Sequence, residues 1–224
     1  MKHKLTTTLL SCAALAAFTP SLRAATTLLD NTSAAISPID GLGLQPSSRN
    51  ALLFSTGSTA YDLRSIQFAM RNQDPSPETG SVTFSLYSGS TPSGPALASQ
   101  TFSGISFPAT ATSFTENLAD GFSLAANSNY TLVFASSLSD GQLSSTTTGA
   151  TLSGGTSGLT YLGRKFSLDS GDTWNGPFEN VTPWMKLSDT AVTTSAVPEP
   201  SGFLATSLLL GAAGLIRRRQ ARAA

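Results

Sequence analysis

The middle of the chain follows a two-residue rhythm. In Gly80-Ser81-Val82-Thr83-Phe84-Ser85-Leu86-Tyr87 the apolar Val82, Phe84 and Leu86 alternate with Ser81, Thr83 and Ser85. Successive side chains of a strand point to opposite faces, so this run predicts a strand with one buried side. Asn129-Tyr130-Thr131-Leu132-Val133-Phe134 places Tyr130, Leu132 and Phe134 together, and residues 61–70 align Ile66, Phe68 and Met70. Shorter runs predict further strands at 51–54, 96–102, 159–166 and 181–187. No stretch between 26 and 190 sustains a helical period. Clusters of Gly, Pro and Asn break the chain repeatedly, including 72–80 and 88–95, which read as rigid loops. Short alternating strands separated by such turns predict an all-β fold, a single β-sandwich or jelly roll over residues 26–187. The Ser-, Thr- and Gly-rich segment 136–158 reads as a long mobile loop or an edge hairpin. Residues 188–197 read as a flexible stalk.

The two ends break the rhythm. Residues 1–25 begin with Lys2, His3 and Lys4, continue through the apolar small-residue run 9–18, and reach Pro20 and then Leu22-Arg23-Ala24-Ala25. A positive start, a short apolar core and small residues at its end describe a secretory signal peptide, cut after Ala24 or Ala25 by signal peptidase. An uncleaved anchor is the alternative, but the run is shorter than the ~20 residues that span a bilayer. At the other end, Pro198-Glu199-Pro200 precedes the uncharged stretch 202–216, and Arg217, Arg218, Arg219 and Arg222 follow. Fifteen helical residues at ~1.5 Å each extend about 22 Å, short of the ~30 Å hydrocarbon core. Bilayer thinning accommodates such a mismatch at modest cost. The arginines mark the cytoplasmic side and would leave the middle of the chain outside.

Charge sharpens this division. The chain has 224 residues with thirteen basic and thirteen acidic side chains, yet the first 25 residues carry +3, residues 198–224 carry +3, and the middle carries −6. An acidic body argues against nucleic acid, which is bound through a basic face. The only histidine is His3 and the only cysteine is Cys12. Once the first 25 residues are removed, thiolate chemistry, Cys or His zinc sites, disulfides and any Ser-His-Asp triad are excluded.

Pro198-Glu199-Pro200, a short hydrophobic helix and a terminal basic cluster resemble the PEP-CTERM sorting signal of Gram-negative bacteria. The resemblance covers 198–224 and implies handling by an exosortase, a membrane-embedded cysteine transpeptidase that recognises and cuts near the Pro-Glu-Pro. The prolines keep that site extended and stop helix from propagating into it. The implied route runs through the inner membrane, with the domain in the periplasm, to the cell surface or an exopolysaccharide matrix. The middle domain resembles the choice-of-anchor family, R type, through Phe54 to Gly57, the strand 61–68, Val82 to Ser88 and Leu124 to Val133. That family implies surface display and supplies no known activity.

Candidate chemistry is sparse. Ser167-Leu168-Asp169-Ser170-Gly171-Asp172-Thr173-Trp174 matches the Asp-box pattern of sialidase-like propellers, where it is a structural turn. Asp169 is suited to accept backbone N–H bonds, Gly171 to take positive φ, and Trp174 to fold back on the sheet. A single copy does not make a propeller. Asp169, Asp172 and Glu179 can be posed as calcium ligands or as a glycosidase pair, against the simpler reading of a solvated acidic loop. Trp174, Trp184, Tyr161 and Tyr87 can be posed as a sugar-stacking platform, against ordinary core burial. The expectation is a non-enzymatic surface protein with no metal or cofactor. Its alternatives are a carbohydrate-binding module for exopolysaccharide and a carboxylate-based glycan hydrolase.

Overall fold

The computed structural model describes residues 26–146, 152–179 and 182–189. The expected signal peptide, nearly all of the stalk and the whole sorting segment lie outside them. The described residues are all-β, in two antiparallel six-stranded sheets, a layout consistent with the expected β-sandwich. In chain order the strands are β1 (Thr27–Asp30), β2 (Ile36–Gly43), β3 (Arg49–Ser55) and β4 (Tyr61–Asn72). Next come β5 (Glu78–Ser88), β6 (Ala98–Phe107), β7 (Thr112–Leu124) and β8 (Asn129–Ser136). The last four are β9 (Gly141–Thr146), β10 (Thr160–Ser167), β11 (Asn175–Phe178) and β12 (Met185–Ser188).

One sheet is a plain ladder in the order β11-β10-β3-β8-β5-β6. The other is organised on β4, whose one edge takes β7 while the opposite edge takes β12 at Ser65–Phe68 and β9 at Met70–Asn72. From there β12 leads to β1 and β9 to β2.

The alternating residues meet between the sheets. Val82, Phe84 and Leu86 of β5, Leu132 and Phe134 of β8, and Ile66, Phe68 and Met70 of β4 are buried in one core. Phe84 sits at its centre, with ring centroids 5.3 Å from Phe68 across the sheets, 5.2 Å from Phe134 and 5.8 Å from Phe102. Thr131 and Val133, on the opposite face of β8, are buried as well. The Thr131 hydroxyl donates to the carbonyl of Gly89 at 2.8 Å, tying the loop after β5 to that face.

Two expectations change. The segment 136–158, read as a mobile loop or edge hairpin, contains β9, an interior strand between β4 and β2 with all six residues buried. Small side chains make this possible, because they let neighbouring chain lie close on both sides. An added Cβ on Gly141 would stand 2.6 Å from the Leu44 carbonyl oxygen. The first two residues of the segment read as a stalk, 188 and 189, belong to the fold. Ser188 closes β12, and Asp189 exchanges hydrogen bonds with Thr26.

Candidate functional site

The β10–β11 connection, 168–174, is a turn built around two side chains. Ser167, fully buried at the end of β10, donates its hydroxyl to Asp169 Oδ1 at 2.7 Å and accepts the Gly171 N–H at 2.8 Å. Asp169 Oδ1 also accepts the Thr173 N–H at 2.9 Å, and Oδ2 accepts the Thr173 hydroxyl at 2.5 Å. The Thr173 hydroxyl, then Ser167, then the Thr173 amide hold the Asp169 carboxyl well below the usual carboxylate range. Gly171 lies at φ +99°, where a side chain would be strained, and its Cβ would stand 3.3 Å from Arg49 Nη1. The indole N–H of Trp174 and the Nε–H of Arg49 have no partner among the described residues.

This arrangement fixes a turn. Both Asp169 oxygens accept the turn's own donors, and the lowered pKa makes this carboxylate a poor base. Among the described residues no three Asp, Glu, His or Cys side chains gather to hold a metal ion. The posed aromatic platform is also dispersed. Trp184 is buried with its N–H on the Ala34 carbonyl at 2.8 Å. Tyr87 on β5 and Tyr161 on β10 are separated by β8 and β3, roughly 14 Å at ~4.8 Å per strand.

Two features escaped the sequence reading. A cleft of about 630 Å³ opens where the end of β7 and the start of β8 meet the start of β4, lined by Tyr61, Asp62, Arg64, Ser123, Tyr130 and Asp189. Asp62 accepts the Ser123 hydroxyl at 2.8 Å and an Arg64 N–H at 3.1 Å, and these two contacts lower its pKa in that order. The Tyr130 hydroxyl accepts the Ala125 N–H at 2.7 Å. The sequence signal was faint: Asp62 and Arg64 sit two apart on one strand face, but Ser123 comes from a strand that the alternation did not reveal. The second feature is Arg164, which is paired across β10–β3 with Leu52 and therefore points between the sheets. Its guanidinium donates to Asn50 Oδ1 at 3.1 Å and lies 5.6 Å from the rings of Phe166 and Phe178. Burial pushes its pKa down. A basic residue in an alternating run reads as outward-facing, and the irregularity between Tyr161 and Gly163 that re-aims it leaves no mark in composition.

No protein-family model matches the chain, and no curated protein or solved structure matches it.

Proposed function

We propose that this is an exported, non-enzymatic surface or matrix protein of a Gram-negative bacterium, trimmed at both ends. In this reading a signal peptide ends at Ala24 or Ala25. One sandwich or jelly-roll domain of the choice-of-anchor kind follows. A PEP-CTERM segment then presents Pro198-Glu199-Pro200 to an exosortase while 202–216 span the inner membrane and Arg217, Arg218 and Arg219 hold them in place. The observation that carries the reading is a contact between Thr26, next to the expected cut, and Asp189, the second residue of the expected stalk, which hydrogen-bond to each other. A domain closed on itself between two address segments keeps its fold when both are removed.

The test is a triple change of Pro198, Glu199 and Pro200 to Ala, followed by cell fractionation. Export should persist while full-length protein accumulates in the inner membrane. Trimming and delivery like the parent's would reduce the Pro-Glu-Pro to a linker.

A carbohydrate-binding role is the second reading, supported by the cleft at Asp62, Arg64 and Ser123. A carboxylate held ionised beside a guanidinium and a hydroxyl presents both acceptors and donors to sugar hydroxyls. Binding of exopolysaccharide fragments that is lost with Asp62→Ala, without turnover, would favour it.

A further inference from the structure

The contact between the ends of the domain has a chemical consequence. The Thr26 N–H donates to Asp189 Oδ1 at 2.7 Å, and the Asp189 N–H returns a bond to the Thr26 carbonyl at 3.1 Å. Strands β1 and β12 extend this pairing, with Lys186 and Asp30 ion-paired at 3.7 Å farther along the same two strands. In an unbroken chain the Thr26 donor is a neutral amide. Signal peptidase changes that. Hydrolysis puts the water's hydroxyl on the new carboxyl end of the leader and its proton on the released amine, which is an ammonium at neutral pH. A cut after Ala25 creates that charge on the atom already 2.7 Å from the carboxylate. A cut after Ala24 creates it one residue away, about 3.8 Å along the chain.

We propose that Asp189 is the counter-ion of the mature N-terminus, so that leader removal converts a neutral hydrogen bond into an ion pair locking the first strand to the last. The inference rests on the export reading above. Asp189 itself lines the cleft together with Tyr61, Asp62 and Arg64 from β4 and Tyr130 from β8, the charged and titratable groups beside the pair. Arg64 is already bonded to Asp62, which offsets its repulsion of the ammonium. No histidine follows residue 25, and the α-amine ordinarily titrates at about 7.7–8. A carboxylate partner raises that value. The stabilisation is therefore complete below the ordinary value and is lost as pH rises through the raised one.

The experiment exports the full chain from a Gram-negative host, recovers it, identifies its first residue by mass spectrometry and labels its amines by reductive ¹³C-methylation for NMR titration. Only Lys165 and Lys186 contribute other amines after residue 25, so three signals are expected. The α-amine should titrate about one pH unit higher in the parent than in Asp189→Asn. The parent's Tm should fall between about pH 7 and 9 while the variant's stays level. An α-amine with the same titration in both proteins overturns the ion pair and leaves export standing. A retained Met1 overturns the export reading and the ion pair with it. Should the Asn variant fail to fold, the parent decides alone, and an amine within the ordinary range sinks the proposal.

Discussion

In the β11-β10-β3-β8-β5-β6 sheet the central strands β3, β8 and β5 have long neighbours on both sides and carry large apolar residues at every second position. The other sheet hangs on β4, which holds β7 along one edge and shares its opposite edge between β12 and β9. The first and last of the described strands, β1 and β12, both lie in that second sheet. One sheet is thus held by continuous side-chain packing. The other buries large side chains as well, but on strands that are short (Leu28 and Leu29 of β1, Met185 and Leu187 of β12) or irregularly paired (Leu118, Phe122 and Leu124 of β7). Sheets of the first kind announce themselves by period, and sheets of the second kind do not.

Removing the residue that joins the two sheets has the largest expected effect. Phe84→Ala should cost about 3–5 kcal/mol in urea unfolding, because the ring touches Phe68, Phe102 and Phe134 at once. Less than about 1 kcal/mol would mean that β5 presents its other face to the core. Phe68→Ala, at the matching position of β4, should combine with it less than additively, since the two rings share a contact.

A Leu143→Ala change tests the other sheet where its sequence is least persuasive. Buried in β9 opposite Leu42 and Met70, this leucine should cost about 2–4 kcal/mol. A negligible loss would restore the mobile loop that the composition suggested.

Between the sheets, Gln100 of β6 acts as a clasp. Its side-chain carbonyl accepts the Ala119 N–H at 2.8 Å and its amide donates to the Asn117 carbonyl at 3.3 Å, joining the edge of one sheet to β7 of the other. Gln100→Ala should cost about 1 kcal/mol, with amide exchange quickening at Ala119 first.

The smallest effect belongs to the turn beyond β10. Asp169→Asn keeps the shape and removes the charge that Thr173 and Ser167 stabilise. A carboxyl held below its ordinary pKa contributes stability above that ordinary value, about 3.9, and loses it as pH falls toward the lowered one. The parent should therefore be slightly more stable than the variant at pH 7, and the gap should close in the acid range. A gap that persists unchanged at low pH would show that the charge contributes nothing.

Legibility followed the same division. The inward faces of β5, β8 and β4 could be read directly, because Val82-x-Phe84-x-Leu86 admits one burial pattern. In β7, Phe114, Leu118, Phe122 and Leu124 lie in one two-residue phase, but Glu116 and Asp120 occupy the same phase, so the apolar face does not stand out in the sequence. In β9 the run Gly-Gln-Leu-Ser-Ser-Thr has one large apolar residue, and its burial comes from neighbours distant in sequence. The cleft at Asp62 failed for the same reason, since its walls come from three segments far apart in the chain, 60–64, 123–130 and Asp189. The roles of Ser167 and Asp169 were legible because their hydrogen-bond partners in the turn lie within four positions of them.

Mass spectrometry of both termini of the protein recovered from the cell surface tests the central claim most directly. A chain that begins at Ala25 or Thr26 and ends near Pro198–Pro200, with the arginine cluster gone, is the predicted result. Surface protein that still begins at Met1, or still carries Arg217 to Arg222, would contradict export and sorting respectively.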